Sequence, residues 1–297
     1  MSEEKTELIE KEITSISHHT MLDLLRVTYL VYDYGKNFKV KNKQDTIETF
    51  VSELQENHEF EKLKLSDSRK DILVEIAENV PTGKLYKFIN NAVTDIQVGV
   101  AISEGKKRAT VVFRGSESMA DWYYDLMVFK HKLHDNVCVH SGFYKQLTMN
   151  SVYDELVSTI KKILEEHNDF DVYITGHSLG GALSTLFGYM LSKEIENKVK
   201  VVSFASPRVG NYAWKKSFEE QKNLTHYRIS NKRDIVTAFP IYKYYHVGIN
   251  IQLSNNKYKL CEDSSNKKWY EETIFTCWNP YEHFCDLYYK RMNDNTW

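Results

Sequence analysis

The stretch DVYITGHSLGGALSTLFGYML, residues 171–191, gathers three of the chain's twelve glycines around one serine, Ser178. DVYIT is short, β-branched and aromatic, which predicts a buried strand, and GALSTLFGYML predicts a helix. GHSLG between them must turn sharply. Gly176 and Gly180 carry no Cβ, so strand and helix can approach closely while Ser178 takes the strained tip, and Gly181 lets the helix start tight against the sheet. A strand, a G-x-S-x-G turn and a helix in that order are the context of a nucleophile elbow. A serine hydroxyl is a weak nucleophile in water, so such a residue needs a base, an acid to orient the base and donors for the product charge. The helix start beneath Ser178 supplies one donor, because the N–H of Leu179 points where an oxyanion would form.

Outward from this stretch the chain alternates strand and helix. Upstream, DIQVGVAISEGKKRATVVFRG from Asp95 has a period of two and predicts two strands joined across Glu104-Gly105. FYKQLTMNSVYDELVSTIKKILEEH predicts one long amphipathic helix. Downstream, KVVSFAS is a strand, YAWKKSFEEQK a helix and LTHYRIS a strand. This alternation implies a mostly parallel central sheet with helices on both faces, in which functional groups collect at the carboxyl ends of strands. Before it, MLDLLRVTYLVYDYG predicts a helix stopping at Gly35, and DTIETFVSELQENH and DSRKDILVEIAENV predict two more. Residues 1–17 are polar and expected to fray. No linker or repeat interrupts the chain, so the expectation is one α/β domain over 1–297 with a helical N-terminal extension over 1–80.

Composition excludes several classes. The 297 residues carry a net charge of −2, which gives no electrostatic footprint for nucleic acid. The charged start, MSEEKTELIEKEITSISHH, lacks the apolar run of a signal peptide, and no stretch reaches the length of a membrane span. A soluble, intracellular protein is the resulting expectation. Cys138, Cys261, Cys277 and Cys285 fit neither a disulfide framework nor a zinc site, which leaves free thiols as the default.

YITGHSLGGALSTL followed by VVSFASPRVGN resembles the class 3 (fungal-type) triacylglycerol lipase family, a branch of the α/β-hydrolases. VVFRGS, DWYYDL, VHSGFY and RISNKRDIV occur in that family's order, and the resemblance spans roughly two-thirds of the chain, from Asp95 to Leu287. It implies an α/β-hydrolase fold and a Ser-Asp-His triad in that chain order. Asp234, in the loop after LTHYRIS, stands where the family has its triad aspartate, with Asp263 and Asp286 as weaker competitors. Only His246 and His283 follow Asp234. His246 lies in YKYYHVGINI, an aromatic strand or hairpin where the family's histidine is not usually catalytic. His283, where a loop enters the last helix, matches the triad position, although Glu282 replaces the aspartate usual before it. His177 is expected to pack behind the serine, and His140 to serve as a structural hydrogen-bonder.

The resemblance points to Ser116 as second oxyanion donor beside Leu179, with Asp125 orienting its hydroxyl. It also implies a lid over 117–130, whose apolar face includes Met119, Trp122, Tyr123, Leu126, Met127 and Phe129; core packing is the plainer account of such a stripe. Some family members bridge cysteines in the region of Cys261 and Cys277, so a bridge there stays open. The implied activity is hydrolysis of lipid esters at a lipid–water interface, without metal or organic cofactor, through an acyl-enzyme. A phospholipase A1 or galactolipase-type acyl hydrolase, or a lipase-like binding or signalling protein that has lost its activity, remain as alternatives.

Overall fold

The computed structural model describes residues 16–37, 84–91, 93–116, 129–261, 279–295 and 297. Within them the chain forms α1 (His18–Asn37), β1 (Lys84–Asn91), β2 (Ile96–Ser103), β3 (Arg108–Phe113), β4 (Lys130–His134) and β5 (Val137–His140). It continues through α2 (Ser141–Thr148), α3 (Val152–Glu166), β6 (Asp171–His177), α4 (Leu179–Leu191), β7 (Val199–Phe204), α5 (Tyr212–Glu219) and β8 (Leu224–Asn231). Strands β9 (Ile249–Ser254) and β10 (Lys257–Cys261) and helix α6 (Cys285–Asp294) complete it.

Eight strands make one sheet in the order β1-β2-β3-β6-β7-β8-β9-β10. Pairing is parallel from β3 through β6, β7 and β8 to β9, and antiparallel at both edges. The carboxyl ends of β3, β6, β7 and β8 therefore open on one rim: Phe113 pairs with Gly176, His177 with Phe204, and Phe204 with Ile229. Alternation along the strands fills two cores. Val172 and Ile174 of β6 and Val199 and Val201 of β7 face the helices α2, α3, α4 and α5. Val202 and Phe204 turn the other way, onto Leu24, Leu25 and Tyr29 of α1 and Tyr288, Tyr289 and Met292 of α6. A sheet buried on both faces is what the near-continuous apolar strands of the central region require.

Some local expectations meet a different outcome. The run expected as one helix over 143–167 is two, because a 3₁₀ turn at Met149–Ser151 holds Asn150 (φ 54°) and Ser151 (φ 59°) in the left-handed region. Both halves keep an apolar face on the same core, Phe143 and Leu147 before the break and Leu156, Ile160 and Ile163 after it. The hydrophobic periodicity therefore carries no trace of the break. Helix α1 runs past Gly35 to Asn37. Strand β1 and the β4–β5 hairpin were not foreseen: β1 is an edge strand with mostly half-buried side chains, and KHKLH of β4 is basic rather than apolar. The helices expected at 45–58 and 67–80, and residues 1–15 of the stretch expected to fray, lie outside the described residues; of the same stretch, Ile16 is instead buried in the core and Ser17 bonds Thr20 at the start of α1.

Candidate active site

Ser178 sits between β6 and α4 with φ 57° and ψ −125°, a backbone conformation costing about 1–3 kcal/mol for a residue with a Cβ. Its surroundings enforce it. The Ser178 N–H donates to Phe204 O at 2.9 Å, and its carbonyl accepts from Gly181 N at 2.9 Å and Ala182 N at 3.2 Å. The elbow also presses on the end of β3, where a Cβ at Gly180 would overlap the carbonyl oxygen of Phe113. These contacts fix where the hydroxyl points.

His283 ends a 3₁₀ turn, Pro280–His283, just before α6. Its Nε2 lies 2.8 Å from Ser178 Oγ, and its Nδ1 lies 3.0 Å from each carboxylate oxygen of Asp234. All three residues are buried. An ionised carboxylate can only accept, so Nδ1 carries the proton and Nε2 of the neutral ring presents its lone pair to the serine hydroxyl. Asp234 accepts two further hydrogen bonds, from the Tyr288 hydroxyl at 2.7 Å and the Val236 N–H at 2.9 Å. Burial and the neighbouring Asp234 carboxylate push the Tyr288 hydroxyl well above its usual pKa, so it stays a donor.

The other candidates fall elsewhere. His246 is buried with its Nε2–H donated to Thr237 O at 2.7 Å, and burial plus the cations of Arg228 and Arg208 hold its pKa well below the usual range. Asp286 accepts from the Tyr29 hydroxyl at 2.7 Å. His140 caps α2, its Nδ1 accepting from Phe143 N at 3.4 Å. His177 is fully buried behind the elbow. Ser116 follows Gly115 in the loop after β3, and a Cβ at Gly115 would crowd the carbonyl of His177, which brings that loop against the elbow. Leu179 opens α4 directly after the serine. Asp125, Met119, Trp122, Tyr123 and the candidate lid up to residue 128 lie outside the described residues; Phe129 is exposed and Lys130 already belongs to β4. Asp263 and Cys277 also lie outside them, and with Cys277 the bridge to Cys261.

Glu282, the departure beside His283, is buried and ion-paired with Arg291 of α6, whose Nη2 lies 3.1 Å from Glu282 Oε1, and with Arg233 at 3.3 Å. Asn231 of β8 donates to the Glu282 carbonyl at 2.7 Å. The turn carrying His283 is thus tied to the strand that carries Asp234's loop. Sequence reasoning missed Tyr288 and Asn231, whose partners are distant in sequence, and Arg291, which no short motif links to Glu282 nine residues before it. Among the described residues no group of three or more His, Cys, Asp or Glu side chains stands together as a metal site would.

The family profile described as Lipase (class 3) matches residues 110–244, a span that holds Ser178 and Asp234 and ends short of His283. Over these residues the chain is similar to the class 3 lipase family. A secreted mono- and diacylglycerol lipase A of Penicillium cyclopium is 29% identical over 159 residues, covering 52% of this chain and 50% of the relative. Phospholipase A1-II 1 of Oryza sativa subsp. indica is 31% identical over 187 residues, covering 54% and 48%. The chain spans about half the length of these curated relatives. The solved structure of a triacylglycerol lipase, described as having a serine protease triad as its catalytic centre, aligns with a TM-score of 0.61 at 25% identity over 70% of this chain and 82% of that one. The fold is that of an α/β-hydrolase. The first relative's name says that it is secreted, so the expectation of an intracellular protein gains no support there. No helix among the described residues is long and apolar enough to cross a membrane.

Proposed function

We propose that the protein is a serine carboxylester hydrolase that cleaves acylglycerol-type lipid esters through an acyl-enzyme. The observation carrying this reading is the buried hydrogen-bonded row from Ser178 Oγ through His283 to Asp234, at 2.8 and 3.0 Å. His283 Nε2 takes the serine proton as Oγ attacks the ester carbonyl. Asp234 holds the Nδ1–H tautomer and stabilises the imidazolium that forms. The N–H groups of Leu179 and Ser116 receive the oxyanion, with Asp125 orienting the Ser116 hydroxyl; one such donor contributes about 2.7–4 kcal/mol to the transition state. The imidazolium then protonates the leaving alcohol, and water, activated by the same base, releases the fatty acid. None of these steps draws on a metal or organic cofactor.

Replacing Ser178 by Ala is expected to lower kcat on a p-nitrophenyl ester by about 10⁶-fold. Activity close to wild type in that variant would remove the reading, as would failure of a fluorophosphonate probe to label Ser178 in the wild type. A second reading, a phospholipase A1-type acyl hydrolase, is favoured by the rice relative's name. Fatty-acid release from triolein, diolein and phosphatidylcholine assayed in parallel separates the two. We read the apolar pattern of 117–130, with Met119, Trp122 and Tyr123, as a lid over the site, and residues 1–80 as an extension of the same single domain. A lid requires activity to rise as a short-chain ester crosses its solubility limit.

A further inference from the structure

Behind the elbow a second chain of hydrogen bonds ends on the backbone of His283. His177 Nε2 lies 2.8 Å from the His283 carbonyl oxygen, and His177 Nδ1 lies 2.9 Å from the hydroxyl of Tyr32 on α1. The protonation pattern has one solution. A carbonyl only accepts, so Nε2 carries the proton. Burial, with the His283 ring beside it, drives the His177 pKa well below its usual value, so the ring is neutral. Its Nδ1 then has only a lone pair, and the Tyr32 hydroxyl must donate to it.

The geometry points to His177 and Tyr32 as positioning residues: we propose that they form a clamp in which the N-terminal helix fixes the carbonyl of the base-bearing residue and so holds the imidazole at attack distance from Ser178. The proposal rests on the catalytic reading of Ser178 and His283 given above. Three further observations support it. The His177 ring packs against the His283 ring, 4.8 Å centroid to centroid. Tyr288, the donor to Asp234, packs edge-on against the same His177 ring at 5.6 Å. Helix α1 is itself anchored on both sides of the site. Thr28 Oγ1 lies 3.0 Å from Thr175 Oγ1 on the nucleophile strand, and the Tyr29 hydroxyl donates to Asp286 in the first turn after His283 at 2.7 Å. One helix thereby joins the strand that delivers the nucleophile to the turn that delivers the base. A loosened base costs rate out of proportion to the displacement, since attack needs near-contact alignment.

The test compares Tyr32→Phe, His177→Leu and His177→Gln with wild type and Ser178→Ala, in the full chain and on a soluble short-chain p-nitrophenyl ester. Rates of the proteins that keep Ser178 are normalised to the fraction of Ser178 titrated by fluorophosphonate at end point, and that of Ser178→Ala to protein concentration, at a temperature well below each variant's melting midpoint. The normalisation removes losses that come only from unfolded protein. Tyr32→Phe is expected to lower kcat about 5-fold and His177→Leu about 10- to 30-fold, each with KM within about 2-fold of wild type. His177→Gln, which keeps an N–H donor, is expected to recover most of the loss. If normalised kcat in Tyr32→Phe and His177→Leu equals wild type while Ser178→Ala is inert, the clamp alone is overturned. If Ser178→Ala hydrolyses the ester as wild type does, the catalytic reading fails and the clamp with it.

Discussion

The hydroxyl of Tyr288 donates to Asp234 Oδ2 at 2.7 Å and accepts the N–H of Asn231 at 2.8 Å, so one atom joins the carboxylate, the end of β8 and α6. A hydrogen bond to a charged group contributes about 1.5–3 kcal/mol. Tyr288→Phe is therefore expected to lower stability by that amount, and to lower kcat about 10-fold as the carboxylate gains freedom, with KM little changed. Urea denaturation and steady-state kinetics read the two effects separately. The histidines differ in the same way. His283→Ala is expected to abolish turnover, whereas His246→Ala, which loses a 2.7 Å bond to the Thr237 carbonyl, costs stability and leaves most of kcat. A dead His246→Ala enzyme with an unchanged melting temperature would move the base. At this scale the sequence is readable where chemistry is local: the glycines around Ser178 and the strand before Asp234 mark both positions. Tyr288 carries no such mark, because a tyrosine near a chain end looks like core until the carboxylate it reaches is known.

Elements were readable where burial is one-sided or complete. The strands β2, β3, β6, β7 and β8 and the helices α4 and α5 follow from period and turn residues, and strand–helix alternation gives the parallel centre of the sheet. What sequence does not carry is set by partners elsewhere. The break at Asn150 and Ser151 is held in part by a bond from Asn150 to Asn91 on β1, a strand too polar to be expected. The turn holding His283 depends likewise on Glu282, Arg291 and Arg233, of which a reading of the family pattern marks only Glu282, as a departure. Removing one member of a buried ion pair strands the other charge. Glu282→Ala is expected to destabilise the protein by about 3–5 kcal/mol, and a double variant, Glu282→Leu with Arg291→Met, to recover much of that because no buried charge is left unpaired. Chemical denaturation of single and double variants checks it; equal losses in both would mean that packing rather than charge holds the turn.

Across the whole molecule, three buried histidines serve different parts of the fold in the same protonation state. His177 stands behind the elbow, His246 under the loop after Asp234, and His226 joins β7 to β8 through Ser203 Oγ at 2.8 Å. Burial, first in each case, holds all three below the usual histidine value of about 6.5, with His226 down to about 3. In the unfolded chain these rings take up protons as pH falls through about 6.5, while in the fold they remain neutral. The unfolded state therefore binds more protons below that value, and stability is full above it and lost as pH falls toward the folded-state pKa values. For His226, whose ring stays neutral to about 3, the slope approaches about 1.4 kcal/mol per pH unit once well below 6.5, and His177 and His246 add to it in the same direction. Urea midpoints measured from pH 8 to pH 4.5 should be flat at the upper end and then drop. Replacing His226, whose ring bonds Ser203 between β7 and β8, by Asn should make the slope shallower while leaving the pH profile of ester hydrolysis in place. A stability that stays level from pH 6.5 to 4.5 would mean that these rings charge inside the fold, and the protonation pattern assigned to His177 would then fail as well.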